Sequence, residues 1–436
     1  MKIEQVLHNL RDVLSHEELE AEARASGALV RKRLLHPVMM LEAMLATSNA
    51  SGGRLADALR YLEYTHGVKV NRSSFYKRLD GSFSNFVHEV MTRVAGSRTV
   101  AEHPELEGKL SGLADLWAYD STSVSLRKTL AEVFAVGGES ERAGAKLHAG
   151  FSLRSNAVMR PVISAAKTSD ENGIDLGRDL EDVLVILDRG YSRHRLFETI
   201  EREGGFFLTR LKTSTNPSIK RVHRGRIAGT NAKGMTLDEA LEADVLPMDR
   251  VVDIDVELSL GKRPAFSARV VSIPVINDDG EEVLWWYLTN LSRKHYAPET
   301  LRELYRLRWQ VELLWKTLKG RFRLDDIEAL TEHNVRLIME SAVLAYFLSL
   351  AVLDATTTST ERKKLTVGRM ALLFPFVAGG LARLATTDDD DEARALAQRI
   401  RDAIIHAATD TNPKRTRAAK ARRKKALTSS KARKAS

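Results

Sequence analysis

The 436-residue sequence predicts an α/β fold: a mixed five-stranded sheet, an antiparallel β module inserted before its last helix, and helical regions at both ends. Three observations carry this expectation. From about residue 106, strand-like and helix-like runs alternate. The run DVLVIL, Asp182 to Leu187, is continuously apolar after its first residue, as in a strand covered on both faces. Thr300 to Gly320 has no proline and no internal glycine, and Leu304, Leu307, Val311, Leu314 and Leu318 share one face at helical spacing.

Taken in order, residues 1–105 read mostly as helix, with pieces at Met39 to Leu45, Arg54 to Tyr64 and Asn71 to Leu79. Tyr64 to Val68 forms a turn between the last two. VNRSSFYKRL opens with cap-type residues and puts Arg72, Lys77 and Arg78 on a short helix, the look of a DNA-recognition helix. An ordinary short helical hairpin has the same look. LADLWAYDSTSVSL sets Asp120 within or at the end of a first strand; AGAKLHAGFSL and PVISAAKTS give two more. Asp175 to Glu181 is a linker with room for one helical turn. DVLVIL is the fourth strand and ends in Asp188-Arg189-Gly190-Tyr191, and Phe206 to Ser214 is the fifth. VVDIDVELSL, ARVVSIPVI and EEVLWWYLTNL, with a turn signal at Asn277 to Gly280, read as the antiparallel module. After the Thr300 helix, residues 334–353 and 367–405 are mainly helical. The apolar run Ser341 to Leu353 is too short to span a bilayer and reads as a buried helix. The resulting division is 1–105 (helical, DNA-binding), 106–214 (core, first part), 215–291 (β module), 292–360 (core, second part), 361–412 (helical) and 413–436 (basic tail).

Composition bounds the compartment. The chain has no cysteine, which excludes disulfides and thiolate metal sites and makes a reducing cytoplasm the default. MKIEQVLHNL lacks the apolar core of a signal peptide. The net charge of +9 belongs to the end of the chain: Pro413 to Ser436 carry 11 Lys or Arg and no acid, leaving the rest at −2. Such a run suits a polyanion-binding arm or a solubilising tail.

Tyr305, Arg308, Glu312 and Lys319 fall on one stripe of the Thr300 helix, with Trp309 at its edge. A carboxylate flanked by cations and aromatics suits a metal ion beside a nucleic-acid backbone; an exposed ion-paired face has the same composition. Two further acids, Asp120 and Asp188, lie in or at the ends of strands. If strands one and four are neighbours, these acids approach, and a helix across the sheet brings Glu312 to the same point. Clustered carboxylates of this kind prefer two magnesium or manganese ions, which act on a phosphodiester. Taken singly, Asp120 and Asp188 read equally well as turn residues.

Tyr305, two residues, Arg308, three residues, Glu312, six residues and Lys319 form the YREK signature without a gap. The sequence thereby resembles the DDE transposases of bacterial insertion sequences, in the YREK-bearing group of the transposon-five and transposon-ten enzymes. Tyr119-Asp120-Ser121-Thr122 looks like the first family motif and Asp188-Arg189-Gly190-Tyr191 like the second. The resemblance covers about residues 106–350. It implies a ribonuclease-H-like core, divalent metal held by Asp120, Asp188 and Glu312, and a homodimer acting on paired DNA ends. Tyr305, Arg308 and Lys319 would hold the scissile strand. Trp285 sits where some relatives stabilise a flipped base, and Trp309 follows the motif arginine, also as in some relatives. Strand packing explains the Trp285 pair as well. Lys146, His148 and Arg210 resemble family positions, His148 in a structural role. The resemblance implies cut-and-paste DNA transposition, with a hairpin as one route. The alternatives are a silent transposase-derived DNA-binding protein and a structure-specific nuclease on the same fold.

Overall fold

The computed structural model describes residues 1–13, 15–31, 34–49, 54–96, 112–138, 142–154, 157–191, 193–212, 214–260, 263–276, 281–362 and 364–409. The basic tail, Pro413 to Ser436, and the turn signal at Asn277 to Gly280 lie outside the described residues.

Among the described residues, six helices come first: α1 (Ile3–Val13), α2 (His16–Ala25), α3 (Pro37–Ala46), α4 (Arg54–His66), α5 (Arg72–Arg78) and α6 (Gly81–Gly96). Asn71 caps α5, its side chain accepting from the Ser74 N–H at 2.7 Å. Gly67, at φ +65°, makes the turn that precedes it. The middle of the chain holds β1 (Asp115–Leu126), β2 (Ala143–Ser152), β3 (Ala157–Ala165), α7 (Asp170–Gly173), β4 (Val183–Leu187), α8 (His194–Arg202) and β5 (Phe206–Arg210). Then follow β6 (Ser218–Arg224), α9 (Leu237–Glu242), β7 (Val252–Leu260), β8 (Arg263–Ile276) and β9 (Glu282–Thr289). The last helices are α10 (Pro298–Arg306), α11 (Trp309–Arg321), α12 (Glu332–Thr356), α13 (Ser359–Arg362), α14 (Val367–Thr386) and α15 (Asp390–Ala407). The helical turn expected within Asp175 to Glu181 instead falls earlier, in α7.

The strands lie in the order β3-β2-β1-β4-β5-β9-β8-β7-β6. β1, β2 and β3 pair antiparallel, while β1, β4 and β5 run parallel. The expectation of a five-stranded sheet carrying a separate module is corrected here, because all nine strands form one sheet. β9 pairs antiparallel with β5 through Leu208–Thr289, Thr209–Leu288 and Arg210–Tyr287. An open β5 edge would leave peptide groups without partners, and β9 supplies them.

Side-chain alternation divides the sheet between two cores. Leu116 and Ala118 of β1, Leu184 and Ile186 of β4 and Leu208 of β5 face a core shared with α10, α11 and α12. Trp117, Tyr119, Val183, Val185, Leu187 and Phe207 face a second core with α8 and α9. α12 and α14 are long and apolar enough to cross a membrane, but the most apolar stretch of α12 is 89% buried inside the protein. α12 packs against α1, α3, α6, α14 and β3, so Ser341 to Leu353 is the interior of a core helix.

Candidate active site

Strand alternation delivers the first two acids to one place. Asp120 continues the Leu116–Ala118 side of β1, and Asp188 continues the Leu184–Ile186 side of β4. β1 and β4 are parallel neighbours with Tyr119 opposite Leu187, so the aspartates stand side by side on the face covered by α10 and α11. Arg210 continues the same side of β5, and Tyr287 lies opposite it on β9. One face thus carries, across four strands, two acids, an arginine and an aromatic. The Arg210 guanidinium lies 4.3 Å from the Trp285 ring centroid, and Tyr287 meets Tyr305 edge-on at 5.4 Å.

The third acid arrives on a helix that is not continuous. Where one helix was expected over Thr300 to Gly320, α10 ends at Arg306 and α11 begins at Trp309. Between them the backbone tightens: the Arg308 N–H bonds the Tyr305 carbonyl at 3.1 Å, and the Val311 N–H bonds the Arg308 carbonyl at 3.1 Å. Three-residue hydrogen bonding of this kind overwinds the chain relative to an α-helix. Tyr305 therefore lies in the last turn of α10, Arg308 occupies the junction and Glu312 sits in the first turn of α11.

The Arg308 guanidinium occupies the space between the acids. Its Nη2 donates to Glu312 Oε1 at 2.6 Å, Nη1 lies 3.9 Å from Asp120 Oδ2, and Nε lies 3.8 Å from Asp188 Oδ1. Its other neighbour is the Tyr305 ring, with the centroid 5.8 Å from Cζ. Asp120 Oδ1 accepts from the Ser121 N–H at 2.8 Å, and Asp188 Oδ2 from the Gly190 N–H at 3.3 Å. Burial nonetheless pushes Asp120 up to about 6, against the opposing pull of the Ser121 N–H and Arg308. The sequence predicts that the three acids meet each other. Among the described residues no group of three or more His, Cys, Asp or Glu side chains is arranged closely enough to hold a metal ion; the acids meet Arg308 instead. Like charges do not close up without a cation between them, and Arg308 provides one. Among the described residues the buried Arg308 Nε has no hydrogen-bond partner, so the guanidinium is incompletely satisfied there. An all-oxygen donor set that includes an acid destabilised by burial fits a hard divalent cation.

The other predicted residues divide by location. Lys319 Nζ donates to the Ser123 carbonyl at 2.8 Å, on the strand that bears Asp120. Tyr305 is buried, and its hydroxyl is pushed up to about 12 chiefly by burial. Trp309 is 59% exposed, while Trp285 is partly buried against the first core. Arg72 and Lys77 are exposed on α5, Arg72 lying 5.3 Å from the Tyr76 ring centroid. Arg78 is half-buried, and its Nη2 donates to the Ala28 carbonyl at 3.1 Å, tying α5 to the segment after α2. Lys146 and His148 lie on the opposite face of the sheet, across from Ser123 and Ser121. His148 is buried with Nε2 2.8 Å from Ser164 Oγ, and burial, then Lys146, pulls it down to about 4, so it is a neutral core residue.

Asp170 was not singled out from the sequence. It accepts from Ser121 Oγ at 2.6 Å and from Lys146 Nζ at 3.1 Å. The available signal was the Ser-Asp-Glu-Asn-Gly run directly after the third strand, an acidic helix start. A cavity of about 700 Å³, lined by His16, Glu20, His36, Glu42 and His66 among others, lies elsewhere and contains none of the three acids.

Residues 112–348 match the family described as Transposase DDE domain. The chain is 24% identical over 367 residues to the putative transposase InsL for insertion sequence element IS186A of Escherichia coli K12, covering 78% of this chain and 92% of that protein. It is 20% identical over 389 residues to the transposase for insertion sequence element IS231F of Bacillus thuringiensis subsp. israelensis, covering 80% and 79%. Among solved structures, the piggyBac transposase in its synaptic complex with hairpin DNA aligns at a TM-score of 0.41 and 8% identity, covering 93% of this chain and 85% of that one.

Proposed function

The chain belongs to the family of transposase DDE domains, and on that footing we propose that it is an insertion-sequence transposase that cuts DNA at the element's ends and joins them to a target. It is an enzyme acting on DNA. The observation that carries the reading is the convergence of Asp120, Asp188 and Glu312 on the Arg308 guanidinium. In this reading those three acids are the catalytic residues. They would hold magnesium or manganese, two ions by the family resemblance, whose chemistry is to acidify the attacking hydroxyl and offset charge on the leaving oxygen.

Arg308 then turns from the acids to a phosphate of the scissile strand, where a guanidinium forms paired hydrogen bonds. Lys319, beside β1, neutralises a neighbouring phosphate. Tyr305 walls the site on the α10 side. Water attacks phosphorus, the bond to the 3′ oxygen breaks, and a 3′-hydroxyl is freed. That hydroxyl attacks a phosphodiester of the opposite strand, breaking its bond to the flanking DNA, which leaves with a 3′-hydroxyl as a hairpin closes the end; or it attacks a phosphodiester of the target DNA and displaces a target 3′-hydroxyl. Trp285, with Arg210 on its face, offers an aromatic surface for a displaced base, and Trp309 offers another at the helix junction. No covalent protein–DNA intermediate is required.

The order β3-β2-β1-β4-β5, with β1, β4 and β5 parallel, supports a ribonuclease-H-like core. The uninterrupted YREK spacing supports the transposon-five and transposon-ten group. Arg72 and Lys77 on α5 would contact terminal repeats, the basic tail would add non-specific DNA affinity, and a homodimer would pair two ends in the bacterial cytoplasm. The test is to incubate the purified chain with duplexes carrying the inverted repeats that flank its coding region, plus Mg²⁺, and map the products. Strand cuts at the repeat boundary with 3′-hydroxyl ends support the reading. Repeat binding without cleavage supports the silent DNA-binding alternative, and cleavage only at junctions or hybrids supports the nuclease alternative.

A further inference from the structure

α7 is a four-residue helix, yet it is tied to both sides of the acid pair. Asp170 Oδ1 accepts from Ser121 Oγ at 2.6 Å and from Lys146 Nζ at 3.1 Å. Ser121 is also the residue whose N–H donates to Asp120 Oδ1 at 2.8 Å. One strand residue therefore links the two acids through the sheet. On the other side, a β carbon at Gly190 would lie 3.2 Å from Asp170 Oδ2 and 3.8 Å from Asp188 Oδ2. The Gly190 N–H donates to Asp188 Oδ2, so Asp170 stands behind the loop that aims Asp188. The next residues lock the same loop: Glu171 Oε2 lies 2.5 Å from Arg193 Nε, and Asn172 Oδ1 accepts from Arg193 Nη1 at 2.8 Å. A β carbon at Gly173 would stand 2.2 Å from the His148 ring, which seats α7 directly on β2. Tyr191, 1% exposed, has a hydroxyl without a hydrogen-bond partner among the described residues and lies within electrostatic reach of Asp170, Asp120 and Asp188.

We propose that Asp170 is a positioning residue that sets the separation and aim of Asp120 and Asp188. The inference rests on reading those two as catalytic acids. Lys146 neutralises Asp170 and fixes its carboxylate. The Ser121 hydroxyl donates to that carboxylate, which orients the β1 peptide holding Asp120. Gly190, without a side chain, lets the same carboxylate come against the Asp188 loop. Outer groups of this kind control the affinity of the acids they hold for a cation.

The test uses the full chain, with Mn²⁺ alone as probe, free Mn²⁺ being read by its paramagnetic resonance, and cleavage of end DNA measured against Mn²⁺ concentration. Asp170→Ala is expected to weaken Mn²⁺ binding and raise the Mn²⁺ needed for half-maximal cleavage by roughly 10- to 100-fold. Affinity for end DNA in EDTA stays unchanged. Asp170→Asn, which keeps an acceptor for Ser121, falls between Asp170→Ala and the wild type. Lys146→Ala shifts the Mn²⁺ requirement as Asp170→Ala does and adds little when combined with it. A merely structural role would lower the melting temperature and the active fraction while the Mn²⁺ requirement stayed put, and that result overturns the proposal. Asp120→Ala separates the two levels. If it is inactive while Asp170→Ala matches wild type, only the role of Asp170 is wrong; if Asp120→Ala cleaves normally, the acid-pair reading itself has failed.

Discussion

Arg308 and Glu312, four residues apart, are joined by a 2.6 Å hydrogen bond across the junction of α10 and α11. The same guanidinium faces Asp120 and Asp188, so it acts as the counter-ion of the whole acid cluster. Arg308→Ala should lower stability in EDTA by about 1–3 kcal/mol, since three acids lose their shared cation. Mn²⁺ should then raise the melting temperature of the variant more than that of the wild type, because no guanidinium has to be displaced. Thermal unfolding with and without Mn²⁺ measures both. Equal melting temperatures in EDTA would remove Arg308 from this role.

Asp120 gives a pH signature. Its folded pKa is raised by burial to about 6 from an ordinary 3.8. A carboxyl shifted upward costs stability where folded and unfolded states are both ionised, and costs nothing where both are protonated. The penalty is therefore absent below about pH 4, grows through the interval and is complete above about pH 6. Asp120→Asn should stabilise the metal-free protein by on the order of 2–3 kcal/mol at pH 7.5, with the gain vanishing near pH 4. Urea unfolding across that range checks it; a gain independent of pH would contradict the assignment.

The β module also holds the site helix. Arg269 and Asp253 are both buried and form a two-pronged pair, Nε to Oδ1 at 3.0 Å and Nη2 to Oδ2 at 2.7 Å. Arg269 Nη1 also donates to the carbonyls of Leu291 and Tyr296, on the segment that enters α10. Asp253→Ala leaves buried Arg269 uncompensated and should cost about 3–5 kcal/mol, with a loss of cleavage as α10 loosens. Asp253→Leu combined with Arg269→Met should recover only part of the stability, because the Leu291 and Tyr296 carbonyls and Arg293 Nε, 2.8 Å from Asp253 Oδ1, still lose their partner. Urea midpoints for the single and double variants decide this.

The parts of the site legible in the sequence were those set by local rules. The DVLVIL run marks a buried strand, the two-residue period fixes which way Asp120 and Asp188 point, and the helical spacing of Tyr305, Arg308, Glu312 and Lys319 puts them on one stripe. Long-range pairing was not legible. Nothing within EEVLWWYLTNL specifies that β9 completes the β5 edge, so the sequence alone predicts five strands and a module. The junction at Leu307–Arg308 was hidden because its residues are good helix formers and the tightening accompanies tertiary contacts of Arg308. The bond from Arg78 to the Ala28 carbonyl is not legible because its acceptor lies 50 residues away in the chain. Asp170 was missed for the same reason: its partners belong to β1 and β2, and a four-residue helix leaves almost no periodic signal.

In the proposed mechanism Asp120, Asp188 and Glu312 together form the cutting centre, while recognition of the terminal-repeat sequence lies elsewhere. The most direct measurement compares Asp120→Asn, Asp188→Asn and Glu312→Gln with the wild type on end DNA in Mn²⁺, with binding to the same DNA measured in parallel. Each variant should lose cleavage by about 10³-fold or more, roughly 4 kcal/mol in barrier, and bind the DNA within about threefold of wild type. Wild-type cleavage by any one of the three would contradict the claim.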